Sequence, residues 1–257
     1  MRIRAVLFDV DDTLFDYTGA ERAAITAQLA TEGLQDAFPS ADDAVKLWHE
    51  LMTAQYQRFL DGELTFPEQQ LARARAFLAT AREGSVAMDD ATAREWFTRY
   101  QQHYRTAWRA FPDAAPALGA LAAAGLRLGI VSNASLASQR PKLREVGLGG
   151  FFDGAPVVCS DQHGAPKPAA SIFHAACAEL ELAPEQVAYV GDRHDVDGQG
   201  SRDAGLRAFW LNRTTATATA ATTATAASAD ASPEATHGVT EIASLAELVP
   251  LLCAALG

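Results

Sequence analysis

The chain has 257 residues, 49% of them hydrophobic, and a formal net charge of -11, enough apolar material for one large domain or two small ones with a genuine core. Nucleic acids and anionic membranes are held by clustered Lys and Arg, so this acidic balance argues against broad contact with either and leaves room only for a small anionic ligand in a local basic pocket. Apolar stretches are broken well short of the roughly 20 residues that span a bilayer, and a soluble, cytoplasmic protein is expected.

In chain order, residues 3–8 read as a first strand that runs straight into Asp9-Val10-Asp11-Asp12-Thr13-Leu14. Carboxylates crowded at the mouth of a buried strand repel one another and lose hydration, so they stay ionised only beside a cation or strong hydrogen-bond donors. Across residues 16–110 strand alternation disappears. Leu47, Trp48, Leu51, Met52, Phe59 and Leu60, and then Trp96, Phe97, Tyr100, Tyr104, Ala107 and Trp108, recur at helical spacing, which predicts a helical insert with aromatic stripes packed helix to helix. His49 and His103 lie on these helices as surface or half-buried residues rather than ligands.

From Leu118 onward strand and helix signals alternate: strand 126–131, helix 134–146, strand 156–159, helix 169–180, and strands 187–190 and 207–211. Such units predict an α/β fold with a doubly wound, mainly parallel sheet and helices on both faces. Residues 214–227 are Thr and Ala only, followed by a Ser/Ala/Asp stretch to Pro233. With no large apolar side chain to bury, residues 214–233 are expected to form a disordered loop. Leu245, Leu248, Val249, Leu252 and Leu256 then have the spacing of a closing amphipathic helix. The domain plan is therefore a core of residues 1–15 and 111–257 and an insert of 16–110.

Cys159, Cys177 and Cys253 are widely spaced, with no CxxC among them, and read as small buried apolar side chains in a reducing compartment. Lysine occurs only at 46, 142 and 167, and arginine supplies the rest of the 21 basic residues. A lysine kept where arginine is the habitual cation invites a question about its job.

In an open parallel sheet the ligand sits beyond the carboxyl ends of the strands. The residues there form a set: Asp9 and Asp11 after the first strand, Ser132 and Asn133 after the second, Lys167 in Gly164-Ala165-Pro166-Lys167-Pro168 before a helix, and Gly191-Asp192 with Asp195 and Asp197 behind it. Each alone is ordinary turn chemistry. Together they suit one tetrahedral dianion. Asp9, Asp11 and Asp192 can bind Mg²⁺ through oxygen, while the Ser132 hydroxyl and nearby backbone N–H groups hold phosphoryl oxygens and Lys167 neutralises another. Asp9 is the expected nucleophile, giving an aspartyl phosphate, and Asp11 the acid that protonates the leaving oxygen and later the base for water.

Asp9-x-Asp11-x-Thr13, Ser132, Lys167, and Gly191-Asp192-x-x-x-x-Asp197 followed by Gly200-x-x-x-Ala204-Gly205 resemble the four ordered motifs of the haloacid dehalogenase superfamily. The resemblance covers the sheet region from Arg4 to Leu211. It implies a Rossmann-like core, a Mg²⁺ cofactor, the roles given above for Asp9 and Asp11, Thr13 and Asn133 as further substrate-binding positions, Asp197 as a metal-site residue beside Asp9, Asp11 and Asp192, and a C1-type α-helical cap in the insert. Two positions depart from the common pattern: Asp12 replaces a frequent Gly, as in the branch of pyrimidine 5′-nucleotidases and acylneuraminate phosphatases, and Val196 replaces an Asn. The resemblance implies hydrolysis of small phosphomonoesters, with nucleoside 5′-monophosphates first and sugar phosphates close behind. The expected partner is a small phosphorylated metabolite, with no nucleic acid or membrane, and the protein is expected to be a monomer or homodimer.

Competing readings stay open at this stage. Dehalogenases of the family carry an aromatic where Asp11 stands, and phosphonatases need a lysine in the insert, where only Lys46 is present. Phosphosugar mutases share every motif. A receiver-like signalling domain would be far shorter, and a non-catalytic phospho-ligand scaffold has no need of both Asp9 and Asp11.

Overall fold

The computed structural model describes residues 2–82, 88–214, 235–236 and 238–253. The expected loop at 214–233 lies, apart from Thr214, outside the described residues, as does Leu256. The chain divides into two compact units, Met1–Asp16 with Arg109–Gly257, and Tyr17–Trp108. The boundaries fall at 16/17 and 108/109 because the two crossing strands of chain are tied together within the sheet unit. Phe15 bridges Ala110, Asp16 N donates to Arg109 O at 3.1 Å, and Arg109 Nε donates to the Asp16 carboxylate at 2.7 Å.

The helical unit contains α1 (Tyr17–Glu32), α2 (Ala41–Leu60), α3 (Phe66–Ala81) and α4 (Asp90–Thr106). Three of these start at a side-chain cap. Ser40 accepts from Asp43 N, Thr65 and Glu68 form a reciprocal capping box with Pro67 in the first turn, and Asp89 accepts from Thr92 N, each satisfying N–H groups that a helix start leaves open. The aromatic stripes do pack into the unit's own core: Trp48, Phe77, Trp96, Phe97 and Tyr100 cluster with Ala24, Ile25 and Leu29. Arg73 lays its guanidinium 3.7 Å from the Trp48 ring centroid, a cation–π contact in a desolvated setting. His49 is half-buried and ion-paired with the buried Glu21.

In the sheet unit, β1 (Ala5–Phe8), β2 (Arg127–Ser132), β3 (Val157–Cys159), β4 (Val187–Gly191), β5 (Arg207–Leu211), β6 (Ala235–Thr236) and β7 (Val239–Ile242) form one sheet in the order β3-β2-β1-β4-β5-β7-β6. All neighbouring pairs are parallel except β6 with β7. The fold is the expected Rossmann-like, doubly wound α/β architecture with an inserted helical unit. Beyond residues 214–233 the sequence marks no further strand, yet β7 pairs in parallel with β5, from Ala208 opposite Val239 to Leu211 opposite Ile242.

Flanking helices are α5 (Ala114–Ala123), α6 (Leu136–Glu145), the short α7 (Ser160–His163), α8 (Ala170–Glu179), the short α9 (Gly200–Asp203) and α10 (Leu245–Cys253). Strand residues alternate between faces. Ala5 and Leu7 of β1 join Val187 and Tyr189 of β4 in the cluster that packs Ile172, Phe173 and Ala176 of α8. Every residue of β1 and of β4 is buried, as expected for parallel strands covered on both faces. No helix among the described residues is long and apolar enough to cross a membrane.

Asp113 ties three remote stretches of this unit together. Its carboxylate accepts from Arg213 Nη1 and Nη2 at 3.1 and 3.0 Å and from Leu245 N at 2.9 Å, and Arg213 Nη2 also donates to Thr13 O at 2.8 Å.

Candidate active site

The chain leaves β1 toward β2 and β3 on one side and returns to β4 on the other. The crevice beyond the carboxyl ends of β1 and β4 is thus the topological switch point, where open α/β sheets bind ligands. Asp9 follows β1 directly, and its backbone N–H extends the ladder by donating to Val190 O at 2.9 Å. Asp192 follows β4. Behind it the chain makes a π-helical turn over His194–Gln199 that returns Asp197 toward the sheet, where its carboxylate accepts from Arg193 N at 3.0 Å. Gly191 permits that return, since a Cβ there would overlap the Asp197 carboxyl.

Lys167 is the cation of the site. Its buried Nζ donates to Asp9 Oδ1 at 2.7 Å, to Asp197 Oδ1 at 2.7 Å and to Tyr189 Oη at 2.9 Å. The loop carrying it is held from two directions. The Asn133 side chain donates to Lys167 O at 3.0 Å and accepts from Lys167 N at 2.7 Å. Gly200, opening α9, leaves room for Pro168, whose Cβ would lie 2.8 Å from any Cβ added at that glycine. Tyr189 donates to Asp197 Oδ1 at 3.0 Å. Burial and the charges of Asp197 and Asp9 push its hydroxyl well above the usual tyrosine value, so it remains a donor.

Asp9, Asp192 and Asp197 each place a carboxylate oxygen within 4.8 Å of the others. Burial, with the charges of Asp197 and Asp11, drives the Asp9 carboxyl up to about 7 against the opposing pull of Lys167. Burial and the charges of Asp9 and Asp197 drive Asp192 to about 8. This all-oxygen, mutually repelling set suits a hard divalent cation. Asp11 stands differently from the expected shared ligand set. Its carboxylate oxygens accept from Lys142 Nζ at 2.5 Å and Gln139 Nε2 at 2.7 Å, and the three-carboxylate cluster does not include it.

Ser132 ends β2, 2% exposed, with Oγ accepting from Ala134 N at 3.2 Å and Gln139 Nε2 at 3.1 Å. Thr13 is fully buried in the turn after β1, and its Oγ1 has no hydrogen-bond partner. Asp12 occupies the left-handed region at φ 56°, a conformation that Asp tolerates better than most residues, with its N–H on Phe15 O at 2.7 Å. Val196, where the resemblance leads one to expect Asn, is buried, and the Asp197 carboxylate is held by Lys167, Tyr189 and Arg193 N. Sequence reasoning passed over Gln139, Lys142 and Tyr189. The scarcity of lysine was the one signal that pointed at Lys142.

A family model for haloacid dehalogenase-like hydrolases matches residues 3–205. Similar proteins include a glyceraldehyde 3-phosphate phosphatase of Methanopyrus kandleri, 31% identical over 82% of this chain and 84% of its own length. An N-acetylmuramic acid 6-phosphate phosphatase of Pseudomonas putida is 31% identical over 80% and 82%, and an N-acylneuraminate-9-phosphatase of Mus musculus 28% identical over 83% and 84%. Among solved structures, a HAD-hydrolase, YfnB from Bacillus subtilis, bound to magnesium, superposes with a TM-score of 0.70 at 23% identity, covering 98% of this chain and 99% of that one. The chain belongs to the haloacid dehalogenase-like hydrolase family. It is an enzyme, a hydrolase whose named relatives are phosphatases.

Proposed function

We propose that the chain is a Mg²⁺-dependent phosphatase of small phosphomonoesters, working through an aspartyl phosphate on Asp9. The observation that carries the reading is the buried Lys167 ammonium held against Asp9 at the switch point, at 2.7 Å. A divalent cation held by Asp9, Asp192 and Asp197 would offset their repulsion and neutralise charge on the phosphoryl group. An Asp9 oxygen forms the bond to phosphorus as the ester oxygen leaves, and Asp11 gives that oxygen its proton. Water then attacks the acyl phosphate, Asp11 takes the proton, and phosphate departs with Asp9 restored. Ser132 would hold a phosphoryl oxygen, and Lys167 pulls the Asp9 carboxyl toward its ionised form in a setting that otherwise favours the neutral acid.

The relatives' names favour sugar phosphates over nucleoside 5′-monophosphates as substrates. The test is a phosphate-release screen over sugar phosphates, nucleoside monophosphates, phosphoserine and p-nitrophenyl phosphate, with Mg²⁺ and with a chelator. Release with Mg²⁺ and its loss on chelation is the expected result; silence on every ester would overturn the reading.

Metal binding is tested without turnover. Asp9 and Asp192 have folded-state values above their usual 3.8, so the stability they contribute is complete below about 4 and is lost as pH rises through about 7 to 8. A cation competes with protons for these groups. Mg²⁺ is therefore expected to raise the melting temperature by several degrees at pH 8, in line with roughly 2.7 kcal/mol at a hundredfold excess over Kd, and by much less at pH 5. Equal shifts at the two pH values would count against this site.

A further inference from the structure

α6 is polar along most of its length, yet two of its polar side chains turn inward: Gln139 is fully buried and Lys142 is 3% exposed. Three residues apart, they share a helix face. Gln139 Nε2 donates both to Asp11 Oδ2 at 2.7 Å and to Ser132 Oγ at 3.1 Å, and Lys142 Nζ donates to Asp11 Oδ1 at 2.5 Å while lying 4.6 Å from the Phe15 ring centroid. Each oxygen of Asp11 thus has its own donor, and both donors come from one rigid helix. Gln139 makes these bonds at the expense of its own Oε1, which is buried without a partner. An amide and an ammonium removed from water at such a cost are poor choices for packing alone. Lys142 is also spare as a phosphate-neutralising cation beside Asp9, since Lys167 fills that place.

We propose that Gln139 and Lys142 are positioning residues that fix the orientation of the Asp11 carboxylate and couple it to Ser132, so that the proton-transfer group and the phosphoryl-holding hydroxyl form one unit. The proposal rests on the phosphatase reading above. Asp11 must meet the leaving oxygen in one step and water in the next, and a carboxylate freed to rotate meets each less often; misplacement by an ångström costs about 100-fold. Nitrophenolate leaves without a proton. Phosphoryl transfer from p-nitrophenyl phosphate to Asp9 needs no aligned Asp11, whereas transfer from a sugar phosphate does, and hydrolysis of the acyl phosphate does for either donor.

The experiment is rapid-mixing kinetics on wild type, Lys142→Met and Gln139→Leu with both esters and Mg²⁺, read as product burst and as phospho-enzyme by intact mass. Lys142→Met is expected to transfer from p-nitrophenyl phosphate within about 3-fold of wild type and then accumulate phospho-enzyme, and to transfer from the sugar phosphate about 10- to 100-fold more slowly; Gln139→Leu, which also releases Ser132, is expected to slow both transfers, the sugar phosphate's by the larger factor. Equal losses with both esters and no accumulation would mean a merely structural role and overturn the proposal, as would wild-type behaviour. Should Lys142→Met or Gln139→Leu fail to fold, Lys142→Gln, which keeps a neutral donor, and Gln139→Met, which keeps side-chain length, replace them; if these also fail to fold, the role is structural and the proposal falls. Wild-type protein inactive on every ester overturns the phosphatase reading and this proposal with it, whereas an active wild type with proportionate losses overturns this proposal alone.

Discussion

Asp9→Asn is expected to lower phosphate release by at least about 10⁴-fold, the scale on which removal of a nucleophile acts, while leaving the protein as stable as wild type or more so without metal. The first half follows from chemistry: an amide oxygen of the same shape does not form the acyl phosphate. The second follows from the cost that Asp9 imposes. Its carboxyl is driven to about 7 by burial and by its acidic neighbours, so a neutral isostere removes a repulsion that the wild type carries for function. Lys167 keeps Asp197 and Tyr189 as partners in the variant. Phosphate release and thermal melts on the same preparation test both halves. A variant retaining a tenth of wild-type turnover would remove Asp9 from the nucleophile's place.

Lys167→Met carries the largest expected effect on stability. The side chain of Lys167 is 3% exposed and pairs with Asp9 and Asp197, whose side chains are 11% and 1% exposed. Removing this ammonium leaves uncompensated carboxylates in a dry site, at a cost of roughly 3–5 kcal/mol. For a chain of this size that lowers the melting temperature by on the order of 10 °C. The loss should depend on pH with a definite sign. Without the ammonium, Asp9 holds its proton more tightly in the fold than the wild-type carboxyl at about 7, so protonation relieves the variant. The difference from wild type should be greatest near pH 8 and shrink toward pH 5. Melts at the two pH values check this, and a constant deficit would show that lost packing of the lysine stem, rather than charge, sets the cost.

The groups legible in the sequence were those whose chemistry and placement are both local. Asp9 and Asp192 immediately follow apolar strands, and a residue just past a parallel strand has few places to point other than the crevice. The aromatic stripe through Trp96 and Tyr100 follows the same principle of short-range pattern. Gln139, Lys142 and Tyr189 are different. They sit within a helix or a strand, and only the packing of α6 and of β4 decides which way they face; nothing in Ser-Gln-Arg-Pro-Lys marks the glutamine and the lysine as inward and the arginine as outward. β7 escaped notice for a related reason. Val-Thr-Glu-Ile offers only two apolar residues in four, and its pairing with β5 is a long-range event that no local window contains. The role of Asn133 also came from afar, since its amide is joined to the backbone of Lys167, 34 residues on.

The Asp113 carboxylate has a consequence for how the molecule tolerates change. Arg213 approaches it from one side of residues 215–234 and the Leu245 amide from the other, so the two flanks of that Thr/Ala-rich stretch share a single mooring. Arg213 also holds the Thr13 carbonyl, so the same guanidinium joins this mooring to the turn after β1. A substitution at Asp113 would therefore loosen Arg213, the start of α10 and the turn after β1 together.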